Sequence, residues 1–133
     1  MTEKDWTEGI RVMHVEDHAD FRDLMRILLG GQSDIELVAQ AGSLVEARAK
    51  AARSEIDVAV LDLGLPDGNG LDLIPDLRQS NPDIAVLILS ANLDPAGPER
   101  APGAGADEIL DKLAPVEEVV ASVRKLGVKN PEN

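Results

Sequence analysis

The sequence predicts an α/β fold: a doubly wound, five-stranded parallel sheet with helices on both faces. Three observations predict it. Short apolar runs alternate with amphipathic helical stretches five times along the 133 residues. The run at 57–63, DVAVLDL, is almost continuously apolar, as a strand buried on both faces must be, and carries one carboxylate near its end, Asp62. Polar residues stand at the ends of the other runs too, where open α/β sheets gather their sites.

Composition narrows the function classes. The length suits one domain with a sizeable core. Hydrophobic residues make up 44% and aromatics only 2%, so Leu, Val, Ile and Ala must fill that core, with Trp6 and Phe21 the only large rings. A net charge of -12 argues against direct contact with nucleic acid or an anionic membrane, both of them negative. The chain has no cysteine, hence no disulfide framework and no thiol chemistry. The start, MTEKDWTEG, is too polar for a signal peptide, and no apolar run reaches bilayer length, so a cytoplasmic location is expected. Residues 1–9 are expected to be a flexible lead, 10–127 the domain and 128–133 a solvated tail.

The elements follow in order. The first strand is 10–15, with the polar loop Glu16, Asp17, His18 and Ala19 after it. Asp20 is the candidate N-cap of a helix whose stripe is Phe21, Leu24, Met25 and Leu28, closed by Gly30 and Gly31. The second strand is 35–41. Ser43 and Glu46 form a capping box for a second helix running to about residue 53, with a mostly Ala inner face. The third strand, 57–63, breaks into a turn rich in Pro and Gly. A third helix covers 71–79 with Leu73, Ile74 and Leu77 inward. It tolerates Pro75 only by starting late, since an interior Pro costs about 3 kcal/mol. The fourth strand, 84–89, ends at Ser90. In the next connection Pro95, Pro98 and Pro102 with Gly97, Gly103 and Gly105 predict a short or irregular fourth helix. The fifth strand, 108–110, is flanked by acids and suits a sheet edge. Pro115 opens a last helix with Val116, Val119, Val120 and Val123 inward and Gly127 at its end. His14 reads as a hydrogen-bonded core histidine, and His18 as a loop residue at the rim of the site.

The strand ends carry the chemistry. Glu16 and Asp17 end the first strand, Asp62 the third and Ser90 the fourth, and Lys112 follows the fifth. Singly, each is an ordinary loop or strand-end residue. Together they place three carboxylates, a hydroxyl and an ammonium on one rim. Carboxylates about 4 Å apart at an effective dielectric near 20 repel by on the order of 4 kcal/mol per pair. A hard divalent cation, Mg2+, relieves that. A cation, a lysine and a hydroxyl around an attacking carboxylate are what phosphoryl transfer needs.

The pieces VEDH at 15–18, LDLGLPDGNG at 61–70, ILSA at 88–91 and the GAD…K run from Gly105 to Lys112 resemble, in order and spacing, the receiver domain of bacterial two-component response regulators over roughly residues 10–126. The resemblance implies a flavodoxin-like sheet of order 2-1-3-4-5. It implies that Asp62 is the phosphoacceptor, supplied by a histidine kinase or phosphotransfer protein. Asp17 would hold Mg2+ directly and Glu16 through water, with Asp62 and the backbone carbonyl of Gly64 completing the shell. Ser90 would be the switch hydroxyl, and Lys112 would pair with a phosphoryl oxygen. Gly64 and Asn92 would flank the water path for dephosphorylation, with Gly64 leaving it open and the phosphoryl state short-lived. Such a domain catalyses only its own phosphorylation and dephosphorylation. It signals by contact with an unknown downstream protein, as a monomer or weak dimer.

Three departures from the family concern output. Ile109 stands where the family usually has Tyr or Phe, so an aromatic flip cannot couple Ser90 to that switch face. Leu113 replaces the common Pro after the lysine. The proline-rich connection lies on the face that most receivers use for docking. The run KLAPVEE resembles the branch carrying a C-terminal helix-turn-helix, so a fragment of a longer regulator is one expectation and a stand-alone receiver the other. The alternative function is a non-switching pseudo-receiver, a constitutive protein-binding module. A Mg2+-dependent phosphatase with an aspartyl nucleophile fits less well, because such enzymes usually need an acid at the position Gly64 occupies.

Overall fold

The computed structural model describes residues 9–91 and 101–128. Five strands, β1 (Ile10–Val15), β2 (Ile35–Ala41), β3 (Val58–Asp62), β4 (Ala85–Ser90) and β5 (Glu108–Asp111), pair in parallel in the order β2-β1-β3-β4-β5. The helices are α1 (Ala19–Gly30), α2 (Leu44–Ala51), α3 (Ile74–Ser80) and α4 (Val116–Val128). Successive side chains of a strand point to opposite faces, and the two cores follow that parity. Met13, Val15, Ala59, Leu61, Val86 and Ile88 meet Ala47 and Ala51 of α2 and Ile74 and Leu77 of α3. Val12, Val58, Val60, Leu87 and Leu89 meet Met25 and Leu29 of α1 and the Val119, Val120, Val123 and Leu126 stripe of α4. β3, at the centre, is buried along its whole length, which accounts for its unbroken apolar run. The order reverses between β1 and β3, so their C-terminal ends flank the crevice where such sheets bind ligands.

Several local readings change. α1 begins before Asp20; His18 occupies its N-cap position without a side-chain cap bond, and Asp20 lies in the first turn, where its charge favours the helix dipole. Met25 and Leu29 of α1 are fully buried, Phe21 and Leu28 pack partly buried beside them, and Leu24 is 46% exposed. Leu24, Met25, Ile27, Leu28 and Leu29 form a broad apolar arc, and only the sheet decides which part of it turns inward. α2 stops at Ala51. Its box is half-formed: Ser43 Oγ accepts from Glu46 N at 3.1 Å, but the Glu46 carboxylate accepts from Gly42 N, at 2.7 Å. Asp67, from the turn after β3, adds a remote cap by accepting from Leu44 N (2.8 Å) and Val45 N (3.1 Å).

That turn is a small antiparallel ribbon, Gly64–Leu65 against Gly68–Asn69, followed by a 3-10 turn at Gly70–Leu73. α3 therefore starts late, with Pro75 in its first turn, where a missing N–H leaves no gap in the ladder. Gly127 does not end α4. It is a buried point of close approach, where a Cβ would stand 2.7 Å from the Ile10 side chain. Trp6, residues 92–100 with Pro95 and Pro98, and the tail 129–133 lie outside the described residues. The predicted irregular helix falls mainly on them; its described remainder, 101–105, forms turns tied down by Arg78 Nη1, which donates to the Gly105 carbonyl at 2.9 Å. His14 is the core histidine expected. It accepts from Gln40 Nε2 at 3.1 Å, assigning the ring as the neutral Nε2–H tautomer, and burial lowers its pKa to about 4.

Candidate functional site

Each site residue is delivered by a strand end. Asp62 closes β3, paired with Leu89 across the sheet and only 7% exposed. Glu16 directly follows β1, and its N–H still donates to Ala41 O at 2.9 Å, so the chain leaves the strand without a break in pairing. Arg22 of α1 fixes this loop from beneath, donating through Nη1 to the carbonyls of Glu16 (2.9 Å) and Asp17 (3.3 Å). Lys112 follows β5, and its N–H donates to Ser90 O at 2.9 Å, extending the ladder to the rim. Its ammonium stands 2.8 Å from Glu16 Oε1, 3.5 Å from Asp62 Oδ2 and 5.0 Å above the Phe21 ring.

The three charges are unequally compensated. Burial raises the Glu16 carboxyl most, but the Lys112 ammonium and both the backbone N–H and ring of His18 outweigh it and hold the group below its usual range. For Lys112, burial works against the charge, and Glu16 and Asp62 together overcome it, so the ammonium titrates higher than usual. Asp62 goes the other way: burial first, then the Glu16 charge, raise it despite Lys112. Glu16 and Lys112 thus form the settled pair. Asp62 is left the more basic carboxylate, a condition that suits a nucleophile.

Donor atoms of Glu16, Asp17, His18 and Asp62 all lie within 4.8 Å of one another. Glu16 Oε1 and Asp17 Oδ1 are buried and accept no aligned hydrogen bond, the Glu16 oxygen having only its ion pair with Lys112. Buried anionic oxygens short of donors, several at once, fit a hard divalent cation. Gly64, two residues after Asp62, is exposed, with open space where a Cβ would be.

Glu16, Asp17, Asp62 and Lys112 converge as the strand-end argument requires. Ser90 is buried on the neighbouring strand, but its Oγ donates to the Ala91 carbonyl at 3.2 Å and so faces its own loop. Ile109 is half-buried in β5, packed on the α2–α3 side of the sheet. Asn92 lies outside the described residues. His18 lies at the rim as expected, its side chain 69% exposed, with Nδ1 2.7 Å from Glu16 Oε2 and 3.4 Å from Asp17 Oδ1. Phe21 and Arg22 also support the site and were not singled out for it. A lone Phe one turn beyond an acidic loop in a chain poor in aromatics was the available signal.

Removing the Lys112 ammonium should expose how far the fold depends on it. Glu16, with a side chain 1% exposed, would lose its cation. Breaking a buried pair costs about 3–5 kcal/mol, and Lys112→Met should fall at the low end because His18 still binds the other oxygen. The depressed Glu16 pKa contributes stability at neutral pH that is lost as pH falls through the folded value. The gap between variant and wild type should therefore narrow on acidification. Urea unfolding at neutral and acidic pH measures it, and a gap that stays constant contradicts the assignment.

A five-stranded parallel sheet with an acidic cluster and a lysine at its switch point defines a class by architecture: a flavodoxin-like domain with a charged site at its rim. The response regulator receiver domain model matches residues 12–124, and the chain belongs to this family, the receivers of two-component response regulators. It is 36% identical over 118 residues to the DNA-binding transcriptional activator DevR/DosR of Mycobacterium tuberculosis, covering 89% of this chain and 54% of that protein. It is 33% identical over 116 residues to the response regulator VraR of Staphylococcus aureus, covering 87% of this chain and 56% of the relative. The chain thus spans about half the length of these curated relatives. The receiver domain of NarL from Mycobacterium tuberculosis superposes with a TM-score of 0.81 at 27% identity, over 90% of this chain and 96% of that one. Receivers are signalling modules that typically bind Mg2+ at an acidic cluster. Among the described residues no helix is long and apolar enough to cross a membrane.

Proposed function

We propose that residues 10–127 form a phospho-accepting receiver in which Asp62 takes a phosphoryl group from the phosphohistidine of a histidine kinase or phosphotransfer protein. The observation that carries this is Asp62, the less compensated carboxylate, held 3.5 Å from the Lys112 ammonium at the mouth of the acidic cluster. Glu16, Asp17, Asp62 and the Gly64 carbonyl are the residues to hold Mg2+. That ion, when bound, supplies charge neutralisation for the acids and for the incoming phosphoryl oxygens.

The chain's own residues account for the rest. An Asp62 oxygen attacks phosphorus as the donor's P–N bond breaks, and the donor imidazole leaves with the bonding electron pair. Lys112, shared between Glu16 and Asp62, turns to the new phosphoryl oxygen, which carries more charge than the carboxylate did. Ser90 exchanges its bond to Ala91 O for one to the phosphoryl group. Lys112 and Ser90 are joined through the β4–β5 ladder, so both pulls act on the strand that carries Ile109. An aliphatic Ile109 has no hydroxyl or ring to swing. Output therefore rests on backbone and loop shifts that change contacts with a downstream protein, in a cytoplasmic setting and without direct nucleic acid binding by this domain. The open space at Gly64 supports an unobstructed water path and a short-lived phosphoryl state.

Incubation with acetyl phosphate and Mg2+ should add one phosphoryl mass, and chelation should prevent it. The second reading, a pseudo-receiver that binds without switching, is favoured by Ile109 and by the proline-rich connection before β5. It requires no mass gain under the same conditions.

A further inference from the structure

Among the described residues, His18 contributes the one imidazole of the acidic cluster. It stands at the N-cap of α1 but makes no side-chain cap bond there. Its backbone N–H donates to Glu16 Oε2 at 3.0 Å, which fixes the loop, and its ring then folds back over the acidic cluster. Nδ1 lies 2.7 Å from Glu16 Oε2 and 3.4 Å from Asp17 Oδ1, while the side chain is 69% exposed overall.

Those two spacings have a meaning in coordination chemistry. With metal–ligand distances of 2.0–2.1 Å, adjacent donors of an octahedral shell stand about 3 Å apart. The imidazole nitrogen and the two carboxylate oxygens bracket that value. An Asp62 oxygen belongs to the same set, whose donor atoms all lie within 4.8 Å of one another, so a bound ion would draw the most distant of them closer. Asp17 Oδ1 is buried with no hydrogen-bond donor, and Glu16, 1% exposed, offers an Oε1 without an aligned hydrogen bond.

We propose that His18 is a nitrogen ligand of the Glu16, Asp17 and Asp62 metal site and tilts its selectivity from Mg2+ toward borderline first-row ions such as Ni2+, Co2+ and Zn2+. An all-oxygen set suits Mg2+; an imidazole added to it favours ions that bind nitrogen well. This rests on the metal-site reading above. It implies that the domain's loading in a cell depends on which divalent ions are free, and that a trace transition ion competes with abundant Mg2+.

Calorimetric titration of the full chain with MgCl2 and with NiCl2, in wild type and His18→Gln, tests the proposal. Any oxygen-rich site holds Ni2+ better than Mg2+, so the ratio of the two affinities is compared between proteins. Losing the nitrogen should lower the Ni2+/Mg2+ ratio on the order of tenfold in His18→Gln. The ratio also cancels any general effect of freeing Glu16 from its histidine bond. The other histidine, His14, is buried on Gln40, so Ni2+ should perturb the His18 ring signals in NMR first. Mg2+ binding with an unchanged ratio would overturn the role of His18 alone. Saturating Ni2+ that leaves the Mg2+ binding heat unchanged sits elsewhere and would also overturn it. Failure of wild type to bind either ion would overturn the metal-site reading and His18 with it.

Discussion

Asp62→Asn is expected to abolish phosphoryl uptake from acetyl phosphate and, in the same protein, to raise the thermal midpoint measured without metal. The first effect is complete loss, because an amide oxygen is a far weaker nucleophile than the carboxylate and no other described carboxylate shares its position on β3. The second follows from the unequal charges of the cluster. Burial and the neighbouring Glu16 both make the Asp62 charge costly, which is why its pKa lies above the ordinary carboxylate range. A carboxyl raised in the folded state contributes stability at low pH that is lost as pH rises through the folded value. At neutral pH the ionised Asp62 therefore works against the fold. Its pairing with Lys112 at 3.5 Å is the weaker of two, since Lys112 keeps Glu16 at 2.8 Å when Asp62 is neutralised. A change of 1 kcal/mol moves the midpoint of a domain this size by roughly 4 °C, so a rise of a few degrees is the expected scale. Millimolar Mg2+ should raise the wild-type midpoint, and the increment should shrink in the variant. If neither Mg2+ nor the substitution moves the midpoint, the acids do not act on one another and the site reading fails.

Gly70→Ala should injure both stability and phosphorylation although residue 70 has no side chain and no charge. A Cβ there would stand 2.0 Å from the Asp62 carbonyl oxygen and 3.1 Å from its carbon, both main chain. No rotamer change can relieve a clash with backbone. The end of β3 or the turn Gly70–Leu73 must move, and the turn is held by Gly70 N–H donating to Leu63 O at 2.8 Å and by Asn69 Oδ1 accepting from Leu71 N at 2.8 Å. Overpacking of this kind costs about 1–3 kcal/mol or more. Displacing the nucleophile by about 1 Å costs on the order of a hundredfold in rate. Gly30→Ala is the matched control. Its Cβ would meet nothing within 4 Å, and in a helix the change should be mildly stabilising, by about 0.5–1 kcal/mol. The urea midpoint should fall in Gly70→Ala and rise slightly in Gly30→Ala, and only Gly70→Ala should phosphorylate more slowly than wild type. A Gly70→Ala protein with wild-type values in both would show that the β3 end yields freely.

Strand boundaries were readable almost to the residue at β1 and β2, because a parallel strand is a continuous local signal. Helix ends were less so. Asp20 and Gly127 have the chemistry of a cap and a terminator, yet His18 precedes α1 and Gly127 packs on Ile10 inside α4. A cap residue marks a helix end only where the chain also bends away, and the sheet decides that. Asp67 illustrates the converse: it caps α2 from 23 residues away, a relation no local window contains.

The sequence by itself determined the alternating α/β fold, the family, and the four charged residues that meet at the crevice, Glu16, Asp17, Asp62 and Lys112. It could do so because periodicity and strand-end position are local properties, and parallel strands carry their ends to one rim. Only the tertiary structure decided how those charges share one another. Lys112 sits closer to Glu16 than to Asp62, His18 folds in over Glu16 and Asp17, and Gly70 packs against the Asp62 carbonyl. Each of these is a matter of side-chain direction or close approach between segments, fixed to within an ångström by packing and carried by no single stretch of the chain.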